Sequence, residues 1–330
     1  MVVKKNIAIV AGGDQSEIVV SLKSAKGLYD FIDKQKYNLY IVLIQASKWR
    51  VQLPDGYELP IDKNDFSFEL CGNKVLFDCA YITIHGMPGE DGKLQGYFEL
   101  IGMPYSCCDV LSAALTFNKF SCNQYLKGFG VRAAEAVLVK KGQAVNPDAV
   151  VTQLGLPCFV KPNIGGSSFG VSKVKAASEV PAAVEKAFKE GDQVIIESFM
   201  QGTEITCGMY KTDKKEVVFP ITEVVSHNEF FDFDAKYKGQ VEEITPARIS
   251  DDLTNRVQKL TLAIYEILGC KGIVRIDYII TQGDVIQLLE VNTTPGMTPT
   301  SFIPQQIKAA GLQLSEVLSE VIEFAIAQKG

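Results

Sequence analysis

The stretch IVRIDYII (273–280), TQGD (281–284), VIQLLEVN (285–292) reads as two β-strands joined by a turn. The simplest register sets residue 280 opposite 285, and hence Arg275 opposite Glu290. Side chains alternate faces along a strand, so Arg275, Asp277 and Ile279 then share a face with Ile286, Leu288, Glu290 and Asn292, while the other face is almost wholly apolar. Two carboxylates, an amide oxygen and a guanidinium at one sheet end suit a hard magnesium ion beside phosphate, because magnesium takes few protein ligands and keeps waters and nucleotide oxygens. A ladder of surface ion pairs would have the same sequence, and the hairpin alone does not separate the two readings.

Outward from the hairpin, the chain divides into three stretches, 1–117, 118–200 and 201–330. In the first, the apolar run NIAIV (6–10) ends at Gly12-Gly13, after which Ile18, Leu22, Ala25, Leu28 and Ile32 recur at helical spacing. Strands at 39–44 and 80–84 continue an alternating α/β pattern, whose natural architecture is an open parallel sheet with ligands beyond the carboxyl ends of its strands. From 118 a helix leads to the strand CFVKP (158–162), the loop NIGGSSFG (163–170), VSKV (171–174), a helix over 178–190 and the strand VIIESF (194–199), a small α+β unit. The third stretch carries a polar-aromatic segment (222–243), an amphipathic helix with Leu253, Val257, Leu260, Ile264 and Ile267 in one stripe, the hairpin, and two closing helices.

Several residues outside the hairpin point to chemistry. The loop 163–170 offers glycines, hydroxyls and backbone N–H groups for a polyphosphate, but it has no GK[ST] and joins strand to strand, so it reads as a flap rather than a P-loop. An ordinary Gly-Ser turn is the competing reading. Lys161, on an apolar strand, is costly to bury without an anionic partner, which suggests a phosphate. Glu17 falls in the first turn of the helix behind Gly12-Gly13, where it either meets a ligand or caps the helix. His85 opens the turn-rich loop HGMPGEDG, and HNEFFDFDAKYKG (227–239) interleaves aromatics and charges like a lid.

Composition narrows the function classes. With 330 residues, 47% hydrophobic and 22% charged, the chain has enough material for more than one core, and a formal net charge of −6 without basic blocks disfavours nucleic acid or a membrane surface as partner. The start MVVKKNIAIVAGG lacks a signal-peptide core, no stretch reaches membrane-spanning length, and the eight cysteines contain no CxxC pair, which together point to the cytosol. The neighbouring Cys107 and Cys108 have no nearby His or Cys to complete a metal site.

Taken in order, AGGDQSE (11–17), HGMPGEDGKLQGYFELIGMPY (85–105), NK (118–119), VKPNIGGSSFGVSKV (160–174), FFDFDAKY (230–237), GIVRIDY (272–278) and LLEVNTTPGMTPTS (288–301) resemble the D-alanine:D-alanine ligases of the ATP-grasp superfamily. The resemblance spans nearly the whole chain. It implies an α/β and α+β chain: a Rossmann-like domain with an open parallel sheet, then an ATP-grasp fold whose central and C-terminal parts hold the nucleotide. It also implies ATP as co-substrate, two magnesium or manganese ions, a homodimer, and a dipeptide supplied to cell-wall precursors. By the same resemblance, Lys119, Lys161 and Lys236 meet ATP phosphates with the flap residues Gly166, Ser167 and Ser168, and Glu197, Met200 and Glu204 hold the nucleoside. Asp277, Glu290 and Asn292 match metal ligands. Glu17 matches the acid that binds the first D-alanine's ammonium, linked through Ser167 and Tyr237 to flap and lid, with His85 beside it. Arg275 and the Gly296 N–H match an oxyanion site, Ser301 the hydroxyl that receives the second substrate's carboxylate, and Phe302 stands by that subsite where a leucine is common.

A ligase joining D-alanine to D-lactate or D-serine would share the ATP and metal residues and differ near Tyr237 and Ser301; the presence of Tyr237 favours D-alanine. A dinucleotide-binding oxidoreductase is suggested by the glycine corner, yet there is no full GxGxxG and the carboxylate hairpin would be left without a purpose. A non-catalytic relative would be expected to lose a metal ligand or a phosphate lysine, and none is missing.

Overall fold

A computed structural model describes residues 3–13, 17–166, 169–226 and 241–328. The first strand, β1 (Lys5–Gly12), leads through Gly13 to α1 (Ile18–Phe31), and β2 (Tyr37–Gln45) and β7 (Cys79–Ile82) flank β1 in parallel. Residues Ile7 to Ala11 have no exposed surface, which is why β1 reads as an unbroken apolar run: a parallel strand covered on both faces has no polar side to alternate with. The Gly12-Gly13 corner is tight for a definable reason. Gly12 has φ +114°, and a Cβ there would lie 2.2 Å from the Ile44 carbonyl oxygen. The sheet is not wholly parallel. Between β2 and β7 the chain forms β3 (Lys48–Gln52), β4 (Glu58–Pro60) and a separate hairpin, β5 (Phe68–Leu70) and β6 (Asn73–Val75), and β3 and β4 extend the sheet antiparallel to give the order β4-β3-β2-β1-β7. These strands have three to five residues, too short to register as periodicity.

After α2 (Lys93–Leu100) and α3 (Val110–Phe117) comes α4 (Lys119–Lys127), whose buried Cys122 and Leu126 belong to the core of the third sheet, and a second sheet unit follows. There β8 (Ala136–Lys140), α5 (Pro147–Leu154), β9 (Cys158–Pro162), β10 (Ser172–Val174), α6 (Val180–Ala187) and β11 (Gln193–Ser198) form a four-stranded sheet, order β10-β9-β11-β8, around a core of its own that includes Val160, Val174, Val184 and Ile196. The flap loop connects the antiparallel neighbours β9 and β10.

The third sheet has six strands: β12 (Gly202–Lys211), β13 (Glu216–Val218), β14 (Thr222–Ser226), β15 (Val241–Ile244), β16 (Gly272–Thr281) and β17 (Val285–Asn292). Its back is covered by α7 (Asp251–Ile267), which starts where Ser250 accepts the Leu253 N–H and two aspartates meet the positive helix end. Leu253, Val257 and Ile264 are buried on it. The closing helices α8 (Phe302–Ala309) and α9 (Leu314–Ala327) return to the first unit, so that Ile303, Ile307, Leu318 and Ile322 share one core with Ile7, Ile9 and Leu28. No helix among the described residues is long and apolar enough to cross a membrane. All eight cysteines are unbonded, and only Cys71 is exposed.

The hairpin register differs from the simplest one. Thr281 pairs with Val285 across the three turn residues 282–284, with Gly283 and Asp284 at positive φ, and Tyr278 pairs with Leu288. A β-bulge then takes up Leu289, after which Asp277 pairs with Glu290 and Arg275 with Asn292, not with Glu290. Ile286 and Leu288 therefore lie on the core side with Tyr278 and Ile280, not beside Arg275. The extra residue shifts the alternation by one, and that shift sets Glu290 and Asn292 on the face of Arg275 and Asp277.

Candidate active site

Two clefts meet at that face. The larger, about 510 Å³, is walled by Phe159, Phe199, Met200, Ile279 and Leu289, with Lys161, Glu197 and Glu204 among its polar groups. The smaller, about 290 Å³, is lined by Glu17, His85, Glu90, Gly296 and Ser301 among others. Lys119, Gly165, Gly166, Arg275, Glu290 and Phe302 border both. The strand ends thus bring together nearly every described residue singled out above. Ser167, Ser168, Lys236 and Tyr237 lie outside the described residues.

Asp277 is the most heavily bonded group at the junction. Arg275 donates Nε to Oδ1 at 2.9 Å and Nη2 to Oδ2 at 2.7 Å, Asn292 donates Nδ2 to Oδ2 at 3.0 Å, and the Thr206 hydroxyl donates to Oδ1. Spending the amide nitrogen of Asn292 on Asp277 leaves its amide oxygen as an acceptor. Burial alone would lower the pKa of Arg275, but the Asp277 carboxylate outweighs it and holds the guanidinium more firmly protonated than usual. Asp277, Glu290 and the Asn292 oxygen form an all-oxygen set with few protein ligands, which fits magnesium completed by water and phosphate. No group of three or more His, Cys, Asp or Glu among the described residues forms a self-sufficient cage.

In the larger cleft, Lys161 finds its anionic partner within the protein: its ammonium lies 2.6 Å from Glu197 Oε2, with 11% and 5% of the two side chains exposed. Glu197 Oε1 is buried and has no hydrogen-bond partner among the described residues. A buried carboxylate oxygen left open beside apolar walls fits a donor on a ligand, such as the amino or hydroxyl group of a nucleoside. Lys119 donates to the Gly165 carbonyl at the stem of the flap. The stem is fixed by Asn163, fully buried, whose side chain accepts the Phe120 N–H at 2.8 Å and donates to Asn118 and Gln193.

In the smaller cleft, Glu17 occupies the N-cap position of α1 but makes no capping bond, and it is 7% exposed. A Cβ on Gly166 would fall 2.8 Å from its Oε1, so the loop passes close against this carboxylate. His85 Nε2 lies 3.2 Å from Ser24 Oγ, which accepts the Met297 N–H. Ser301 caps α8 in backbone conformation, yet its hydroxyl faces away from the helix, accepting the Thr298 N–H and lying 2.9 Å from a Cβ position on Gly296.

Four contributors were not singled out from sequence: Thr206, Asn163, Gln306 and Glu90. Glu90 stands in the quoted GEDG motif, where an acid between glycines was the available signal. Its carboxylate accepts the Gly86 N–H at 2.7 Å, and burial, with the charges of Glu17 and Glu290, pushes its pKa up to about 8. Gln306 is a polar residue on the apolar face of α8, a visible anomaly in the helical pattern.

A family model described as D-ala D-ala ligase N-terminus matches residues 6–108, and one described as D-ala D-ala ligase C-terminus matches residues 125–323. A D-alanine–D-alanine ligase of Bacteroides fragilis (strain YCH46) is 67% identical over 320 residues, covering 97% of this chain and 99% of that protein. The chain belongs to the D-alanine–D-alanine ligase family. As such it is a ligase, forming the peptide bond between two D-alanines. A D-alanine–D-alanine ligase of Porphyromonas gingivalis (strain W83) is 52% identical over 97% of both chains. Among solved structures, the D-alanine–D-alanine ligase from Coxiella burnetii superposes with a TM-score of 0.88 at 25% identity, over 99% of this chain and 95% of that one. The Bacillus anthracis ligase complexed with ATP reaches 0.77 at 30% identity, over 98% of each. The ATP-grasp fold of these ligases is therefore the fold of this chain.

Proposed function

We propose that the chain makes D-alanyl-D-alanine through a D-alanyl phosphate, in the three-part organisation 1–117, 118–200 and 201–330, as a cytosolic homodimer supplying the dipeptide for peptidoglycan precursors. The first D-alanine's carboxylate attacks the γ-phosphorus of ATP and ADP leaves; the second D-alanine's amine then attacks the acyl carbon and phosphate leaves. The observation that carries this reading is the position of Arg275 and the carboxylate face at the border of two clefts, one apolar-walled with lysines and acids for a nucleotide, the other small and polar.

Within it, Lys119 and Lys161 neutralise phosphate oxygens, joined by Lys236, and Gly166, Ser167 and Ser168 close over them. Glu197 and Glu204 receive nucleoside donors beside Met200. Glu17 holds the first substrate's ammonium near His85, and Ser167 and Tyr237 tie it to flap and lid. Arg275 and the Gly296 N–H stabilise the oxyanion of the tetrahedral intermediate. Ser301, at the N-terminus of α8 where an anion is favoured, takes the second carboxylate, with Phe302 at its side. Asp277, Glu290 and Asn292 would hold two magnesium or manganese ions, which when bound supply further positive charge to the transferring phosphoryl group.

Phosphate release by the purified chain with ATP, magnesium and D-alanine, with products identified by mass, tests the proposal. A dipeptide mass supports it. A depsipeptide only in the presence of D-lactate, or a mixed dipeptide only with D-serine, would move the chain to the acceptor-variant ligases.

A further inference from the structure

Arg275 is held by two side chains, Asp277 and Phe302. Two of its five N–H bonds go to the Asp277 carboxylate, a bidentate pair that fixes the guanidinium within its own plane. Such a pair still lets the plane tilt about the line joining its two hydrogen bonds, which would swing the remaining N–H groups away from a target. A contact outside the bidentate pair opposes that tilt, and Phe302 supplies one: Arg275 Cζ lies over its ring, 5.3 Å from the ring centroid.

The ring is itself held. Phe302 is 7% exposed and begins α8, and one turn later Gln306, with no exposed surface, acts as a substitute strand for β12. Its Oε1 accepts the Gly208 N–H at 3.0 Å and its Nε2 donates to the Thr206 carbonyl at 3.0 Å, in the gap where β14 has ended and β13 has not begun. Thr206 in turn donates its hydroxyl to Asp277. The helix that carries the ring and the carboxylate beside Arg275 are therefore both tied to Thr206 of β12. Gly208 is required for this approach, since a Cβ there would lie 2.4 Å from Ile303 Cδ1.

We infer that Phe302 is a positioning residue for the phosphoryl-transfer step: through its cation–aromatic contact with the guanidinium it holds the three N–H groups of Arg275 that Asp277 does not use toward the reacting oxygens. The inference rests on the proposed role of Arg275 and extends it, because it assigns Phe302 to the first half-reaction as well as to the second-substrate pocket.

The test uses the full-length chain and separates the two halves. Hydroxylamine at saturating concentration traps the acyl phosphate made from ATP, magnesium and D-alanine as a hydroxamate, a product distinct from the dipeptide, so the first step is read separately from the second. Phe302→Leu should lower kcat for trapping roughly fivefold to thirtyfold, the range of a desolvated cation–aromatic contact, with KM for ATP unchanged. Phe302→Tyr, which keeps the ring face, should restore kcat to within about twofold. In an Arg275→Gln background Phe302→Leu should cost almost nothing more, since the contact is already gone. An unchanged trapping rate in Phe302→Leu, with only KM for the second D-alanine altered, would overturn the inference and leave Phe302 as a pocket wall. Arg275→Gln turning over like the parent would overturn both the inference and the role of Arg275 beneath it. Should Phe302→Leu not fold, Phe302→Met gives the same readout, and a matching thermal transition confirms that either variant is native.

Discussion

Replacing Lys161 by methionine separates the structural from the ligand-binding use of one charge. Its ammonium and Glu197 form an ion pair at 2.6 Å with 11% and 5% of their side chains exposed, and the second carboxylate oxygen has no partner among the described residues. Methionine preserves the stem length, so the packing against β9 and β11 changes little, but a carboxylate is left buried with neither of its oxygens paired. Breaking a buried pair from one side costs about 3–5 kcal/mol. Removing both charges in Lys161→Met with Glu197→Gln should recover most of that, leaving a deficit of about 1 kcal/mol, because the desolvation penalty disappears with the charge. Urea unfolding followed by a probe in the central unit, which has its own core, gives both numbers. A nonhydrolysable ATP analogue at 100 times its dissociation constant should stabilise the parent by about 2.7 kcal/mol. The double variant should be stable yet gain almost nothing from the same concentration. If Lys161→Met alone is as stable as the parent, the pair is not acting as a buried one. If the double variant keeps full protection by nucleotide, Lys161 does not meet phosphate.

Asp277→Ala and Glu290→Ala should each abolish ATP-dependent turnover and weaken manganese binding, measured by electron paramagnetic resonance, while the thermal transition persists; normal turnover in either would sink the metal assignment. Glu90→Gln should change the pH dependence of stability. Because the folded carboxyl titrates near 8 rather than 4.5, the native state holds a proton that the unfolded chain releases between those values, so this group costs stability as pH rises through that window. The glutamine variant should gain on the parent from pH 5 to pH 9 in urea midpoints, and equal differences at both ends would refute the assignment. Gly12→Ala meets both a positive φ and a carbonyl at 2.2 Å, and should lower stability by roughly 2 kcal/mol or more; an unchanged melting temperature would show that the corner relaxes freely.

Much of the site could be read from the chain because its residues are polar exceptions in apolar settings. Lys161 on CFVKP, the acids and amide of the hairpin and the Gly12-Gly13 corner each break a local pattern, and a break in pattern is visible without coordinates. Thr206 and Asn163 lay hidden for the opposite reason: threonine in a strand and asparagine in a loop are locally ordinary, and only their partners, 71 and 30 to 45 residues away, reveal what they do. The short strands β3 to β6 were missed because three to five residues carry too few alternations to count.

Local sequence by itself determined the alternating α/β start, the amphipathic α7, the strand-to-strand flap and the hairpin, since each depends on periodicity and turn chemistry within about 20 residues. It did not determine the hairpin's register. A one-residue bulge at Leu289 has no local signature, and it forms because the core side demands Leu288 while the cleft side demands Glu290, a conflict that exists only once α7 covers one face and the central unit borders the other. Tertiary structure likewise decided that Lys161 meets Glu197 across β9 and β11. It also decided that α8 lies across β12 with Phe302 over Arg275. Strand pairing and helix docking are set by which surfaces the whole chain must bury together, and that information is distributed over residues far apart in sequence.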